Sequence, residues 1–224
     1  MNINMNFKDI QHVLYINLDK RDDRNRHILN QLALVGLDKK AQRVKAVELE
    51  NGALGCSMSH LKCIEMAKKN GWSHVLICED DVTFLYPNVL KLQFDGCVEE
   101  LAKQGPNSWD VILLAGNNMM PYKPVNDTCI QVTHCLTTTC YLVRSEYYDT
   151  LIQNYKEGIK LFMKNPENKR EYAIDKYWLS LQENDKWFLI TPLTVVQRED
   201  YSDIEKKNTN FKDYFLNYKK CYKV

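Results

Sequence analysis

Val75-Leu76-Ile77-Cys78-Glu79-Asp80-Asp81 joins four apolar residues directly to three carboxylates. The apolar part reads as a short buried strand. Three neighbouring carboxylates repel one another unless a cation or solvent compensates them. In open α/β sheets, ligands collect where strands reach their carboxyl ends. Alternate side chains of an extended segment share a face, so Glu79 and Asp81 point one way and Asp80 another. Their oxygens suit a hard divalent cation, Mn2+ or Mg2+, of the kind that bridges a diphosphate. The plain alternative is a solvated acidic turn leading into Val82 and Phe84. The triplet therefore speaks for metal and phosphate before it speaks for any substrate.

Outward from this point, strand-like and helix-like patterns alternate, which predicts an α/β domain with a parallel or mixed sheet. The first strand is Val13 to Leu18. A helix from about Arg21 to Val35 carries Ile28, Leu29, Leu32 and Val35 at helical spacing and stops at Gly36. A short strand lies near Val44 to Val47. The next helix runs from about Ser57, its cap, to Asn70. After the triplet, Pro87 opens a helix to about Lys103, and Val111 to Leu114 is another buried strand. The polar run 116–127 reads as a long loop, and Lys164 to Arg170 as a mobile surface loop. Thr139 to Val143 is a strand, followed by a helix capped by Ser145. A short helix starts near Asp175, and a last strand covers Trp187 to Val196 before an irregular tail.

The chain has 224 residues, which suits one domain spanning 1–224. Hydrophobic residues make up 45% and charged residues 26%; 30 basic and 29 acidic residues leave a net charge of +1. That balance gives no global field for nucleic acid. No run of about 18 apolar residues predicts a transmembrane span, and the polar start carries no apolar leader, so a cytoplasmic location is expected. The eight cysteines form no C-x-x-C pair and read as reduced thiols. Asn126-Asp127-Thr128 is a glycosylation sequon that matters only on a secretory route.

Several segments together carry a resemblance. Val13 to Arg24, V-L-Y-I-N-L-D-K-R-D-D-R, resembles the opening of glycosyltransferase family 25. Gly55 to Leu61 is similar to its G-C-x-x-S-H segment, and Glu79-Asp80-Asp81 to its acidic motif. Thr139 to Val143 resembles its T-x-A-Y-L-I strand, with Cys140 where a small residue is common. Ile174-Asp175 and Gln197 to Glu205 resemble two later stretches, in the family's order. The resemblance implies a GT-A type, Rossmann-like mixed sheet flanked by helices. It also implies a UDP-sugar donor, divalent metal dependence and inversion at the anomeric carbon. The acceptor would be a glycan, a lipid-linked saccharide or a hydroxylysine.

On that basis each residue receives an expected role. Asn17 and Leu18 lie beside the nucleotide base. Arg21 and Arg24 offer guanidinium groups to the diphosphate, with Arg21 nearer the strand end, unless neighbouring aspartates absorb them. Ser59 and His60, read in the first turn of their helix, suit phosphate or sugar hydroxyls, and Lys62 faces the same site. Glu79, Asp81 and Asp203 hold the metal, and Asp80 assists with the donor. Asp175 is the candidate base that takes the acceptor's proton, its alternative being a helix cap. Tyr122, Trp178 and Trp187 are candidate sugar platforms. The rivals are a nucleotidyltransferase, a metal-dependent phosphatase, and a binding relative without catalysis. A nucleotidyltransferase would show a Gly-rich loop where Asp19-Lys20-Arg21-Asp22 stands. A phosphatase would need an aspartate where Glu79 stands.

Overall fold

The computed structural model describes residues 5–210 and 212–220; Cys221 lies outside them. Strand β1 (Val13–Asn17) is followed by α1 (Asp22–Val35), β2 (Ala41–Lys45), α2 (Gly52–Lys69) and β3 (His74–Glu79). β1 pairs in parallel with β2 on one side and β3 on the other. The chain thus steps outward from β1 and then returns past it. Right-handed crossovers in opposite directions put the two helices on opposite faces. α1 packs with a later helix, α3 (Pro87–Ala102), while α2 packs with α4 (Tyr148–Lys164). The carboxyl ends of β1 and β3 form the switch point, with Ile16 opposite Glu79.

β4 (Val82–Phe84) precedes α3, and between α3 and α4 come β5 (Val111–Leu113), β6 (Asn117–Asn118), β7 (Tyr122–Asn126), β8 (Cys129–Val132), β9 (Cys135–Leu136) and β10 (Cys140–Arg144). Short helices α5 (Lys169–Tyr172), α6 (Ile174–Tyr177) and α7 (Leu179–Gln182) lead to β11 (Trp187–Ile190) and β12 (Val195–Gln197). A hairpin, β13 (Asp200–Ser202) with β14 (Lys207–Thr209), and α8 (Lys212–Leu216) follow. The main sheet has eight strands in the order β2-β1-β3-β10-β5-β11-β8-β7. β10 runs antiparallel between β3 and β5, so the sheet is mixed and flanked by helices, as the sequence predicts.

Five expectations are corrected. α2 begins at Gly52, with Asn51 as its cap through a 3.1 Å bond from the Leu54 N–H. Ser57 is inside the helix and donates to the Ala53 carbonyl, and Ser59 and His60 lie well beyond the first turn. The run 116–127 is largely strand: β7 pairs with β8 as the sheet's edge because Val125 and Ile130 supply apolar residues that the polar count masked. The last strand is split, since Pro192 has no N–H to donate to a ladder. The loop expected over Lys164 to Arg170 is shorter, residues 165–168 between α4 and α5, because its two ends are helical. Trp178 and Trp187 are fully buried and meet edge to face at 5.0 Å, so they are core and not sugar platforms. Tyr122 is half-buried against Tyr218.

The seven described cysteines are free thiols, as expected. Among the described residues, no helix is long and apolar enough to cross a membrane.

Candidate active site

The buried stripe of α1 is Arg24, Ile28, Leu32 and Val35. The helical repeat that points Ile28 and Leu32 into the core also drives Arg24 inward at the amino end. There its guanidinium meets the turn after β3. One nitrogen donates to Asp80 at 3.0 Å and to Asp81 at 3.2 Å. Its Nε reaches Asp200 at 3.2 Å, and the remaining nitrogen donates to the Tyr201 carbonyl at 3.0 Å. Arg21 is held elsewhere, by Asp23, Asp200 and Asp203, the last at 2.6 Å. Arg24, not the Arg21 favoured from its position in the chain, touches the acidic triplet.

Asn17 closes the end of β1. Its amide donates to Asp80 at 2.7 Å, and its oxygen accepts from Arg43 at 3.0 Å. Asp80 is therefore paired on both oxygens, yet burial still raises its pKa. Asp81 is less satisfied. Its Oδ1 is buried without a hydrogen-bond partner. Burial first, then the neighbouring Glu79 charge, pushes its pKa up to about 8. An orphaned carboxylate oxygen beside two further carboxylates is the donor set that a hard cation fits.

Glu79 has a different environment. Burial pushes its pKa up, but the His60 ring and the Thr138 hydroxyl outweigh burial and hold it below the ordinary range. His60 Nε2 donates to Glu79 at 3.2 Å, and Nδ1 meets the Tyr141 hydroxyl at 2.8 Å. Tyr141 in turn lies 3.3 Å from the Tyr155 hydroxyl. This buried chain fixes the ring and with it the carboxylate. Cys56, His60 and Glu79 bring three donor atoms within 4.8 Å of one another; Asp81 and Asp203 are outside that group. Asp203 instead sits on Arg21.

Two cavities meet at Glu79. The first, about 410 Å³, is lined by Asn17, Leu18, Arg24, His60, the triplet and Asp203, among others. The second, about 470 Å³, is lined by Cys56, Glu79, Thr137, Thr138 and Asp175 with a cationic edge. Both volumes fall in the range of small-ligand pockets. Lys62 lies on a separate hollow and donates to the Lys45 carbonyl. Ser59 borders the first cavity, but its hydroxyl is spent on the backbone: it accepts from Val47 at 2.8 Å and donates to Gly55 at 2.7 Å. Gly55 explains the close fit, since a Cβ there would lie 2.4 Å from the Val47 oxygen.

Asp175 does not cap α6; Ala173 holds the cap position and no side-chain cap bond forms. Its carboxylate accepts the Thr137 N–H at 3.1 Å, across 38 residues. Burial raises its pKa, and the Thr137 N–H and nearby Lys176 and Lys169 only partly oppose this.

Sequence reading gave no role to Thr138, Tyr141 or Gln197, and it offered Asp200 only as a competitor of Asp203; the structure places Asp200 on both Arg21 and Arg24. Thr138 and Tyr141 face the site because β10 lies antiparallel to β3, with Cys140 opposite Cys78. No local signal marks that pairing.

Fold and site together define a mixed α/β protein with an acid-lined cleft at the switch point of its sheet. The sequence of residues 37–176 matches the model of glycosyltransferase family 25 (LPS biosynthesis protein). The chain belongs to that family, and its class of activity is glycosyl transfer. No curated protein sequence matches it. Among solved structures it is similar to A197 from STIV, at 12% identity and TM-score 0.46, covering 89% of this chain and 94% of that one. A glycosyltransferase involved in glycosylating the major capsid of PBCV-1 is similar at 12% and 0.41, covering 80% and 91%. A Drosophila β1,4-galactosyltransferase 7 mutant in complex with manganese, UDP-Gal and xylobiose gives 12% and 0.41, covering 95% and 82%.

Proposed function

We propose that the protein moves a hexose, galactose or glucose, from a UDP-sugar to an acceptor hydroxyl with inversion, in the presence of Mn2+ or Mg2+. The observation that carries this reading is the shared wall at Glu79. A cavity with an unsatisfied Asp81 oxygen lies on one side, and a cavity with Asp175 lies on the other. Donor and acceptor would meet there.

Asn17 and Leu18 border the base, and Arg24 with Arg21 faces the diphosphate once Asp200 and Asp203 yield. Asp81, with Glu79 and Asp80, would hold the cation. A bound divalent cation supplies positive charge against the departing diphosphate. His60 keeps Glu79 ionised and oriented at the junction. Asp203 remains a reserve donor only if it leaves Arg21.

Asp175 takes the proton from the acceptor hydroxyl. That oxygen forms a bond to C1 as the C1–O bond to the β-phosphate breaks, and the diphosphate leaves with the electron pair. The raised pKa of Asp175 makes it a better base than a surface aspartate. Alignment of two bound substrates across one wall removes much of the entropic barrier.

The test is nucleotide release from a panel of UDP-, GDP- and CMP-sugars with Mn2+, with and without simple glycoside acceptors. Release from a UDP-hexose, lost in Asp81→Ala, is the expected result. Full activity in Asp81→Ala would reject the metal assignment. Donor binding by calorimetry with no release in any arm would favour a non-catalytic binding relative.

A further inference from the structure

The second cavity has an edge that proton abstraction does not require. Lys169 and Arg170 on α5 and Lys176 on α6 all line it, around a wall that holds Glu79 and Asp175. Lys169 is paired with Glu205 of the hairpin. Among the described residues, Arg170 and Lys176 form no ion pair. Arg170 is exposed and Lys176 half-buried, so both charges reach a ligand at the mouth. The inner walls differ: Ala53, Leu136, Ile174 and Phe215 are apolar. A neutral saccharide needs hydroxyl partners and an apolar face, and two unpaired cations do nothing specific for it.

We propose that the acceptor is an anionic saccharide, whose phosphate or carboxylate is held by Arg170 and Lys176 at the mouth of the second cavity. The proposal rests on the acceptor role given above to that cavity. Arg170 supplies a planar fork that matches either oxyanion, and Lys176 supplies a point charge beside Asp175. An anionic group held at the edge leaves the sugar body against the apolar wall and a hydroxyl toward Asp175. Lys169 would join if Glu205 released it.

The experiment separates this proposal from the transfer reading by measuring binding. The full chain, with Mn2+ and UDP present, is titrated calorimetrically with three probes: octyl β-galactoside, its 6-phosphate, and octyl β-glucuronide. One or both charged probes should bind at least about tenfold more tightly than the neutral one, in line with hydrogen bonds to charged groups. The phosphate and uronate arms tell the two anions apart. In Arg170→Gln/Lys176→Gln the discrimination should fall to about twofold or less. Equal binding of all three probes would overturn the proposal, as would discrimination that survives the double variant. Failure of the transfer reading would show separately, as absence of nucleotide release from every donor.

Discussion

In the first cavity beside Glu79, charge is answered by charge from distant segments: Arg24 holds Asp80, Asp81 and Asp200, and Arg21 holds Asp200 and Asp203. In the second cavity, among the described residues, Asp175 receives a single backbone N–H, and Arg170 and Lys176 stand without ion pairs. The first arrangement is a preassembled network of opposed charges. The second leaves one base fixed and the surrounding charges available. A tight network of this kind resists change, and a loose rim tolerates it.

The strongest way to break the comparison is Asp81→Ala, which removes the unsatisfied oxygen. Nucleotide release should fall about a thousandfold, and added Mn2+ should not restore it. Asp175→Asn strikes the other cavity. It should lower kcat about a thousandfold while UDP binding, read by calorimetry, stays unchanged. If both variants lost donor binding equally, the two cavities would not be separate subsites.

Stability distinguishes the sides next. Arg24→Ala strands two buried carboxylates and should cost about 3 kcal/mol in urea melts. Arg21→Ala touches more exposed partners and should cost about 1 kcal/mol or less. Gly55→Ala should cost about 2 kcal/mol, because the new Cβ would press on the Val47 carbonyl that shapes the donor cavity.

The remaining effect is a pH signature. Burial and the Glu79 charge push the Asp81 pKa up to about 8 in the folded state, above the ordinary carboxylate range of the unfolded chain. Across that window the native state holds a proton that the unfolded chain has released. The contribution of this group to stability therefore falls as pH rises. Asp81→Asn has no such titration, so its Tm relative to wild type should climb by about 8 °C from pH 5 to pH 8. Mn2+ should shrink that gap. An unchanged gap would mean that Asp81 is ionised and solvated in the free protein.

Much of the donor side was legible in advance. The apolar run before Glu79 and the stripe Ile28, Leu32, Val35 are local periodicities, and they place the triplet and α1 correctly. Less legible was the burial of Arg24, although it lies on that same stripe. Ser57 has the chemistry of a cap, but Asn51 lies where the chain enters the helix, so the start was read five residues late. The cap reading of Asp175 fails because Thr137 reaches it from another segment.

The sequence by itself determined where the chain turns from apolar strand to acid, which helical face is buried, and which family the motifs belong to. Each of these is encoded by neighbours a few residues apart. Tertiary structure alone decided that Arg21 meets Asp203 from 182 positions away, that Thr138 and His60 converge on Glu79, and that Asp175 shares a cavity with Glu79. Those meetings follow from strand order and the antiparallel insertion of β10, and a repeat of two or 3.6 residues carries no record of which strands will lie side by side.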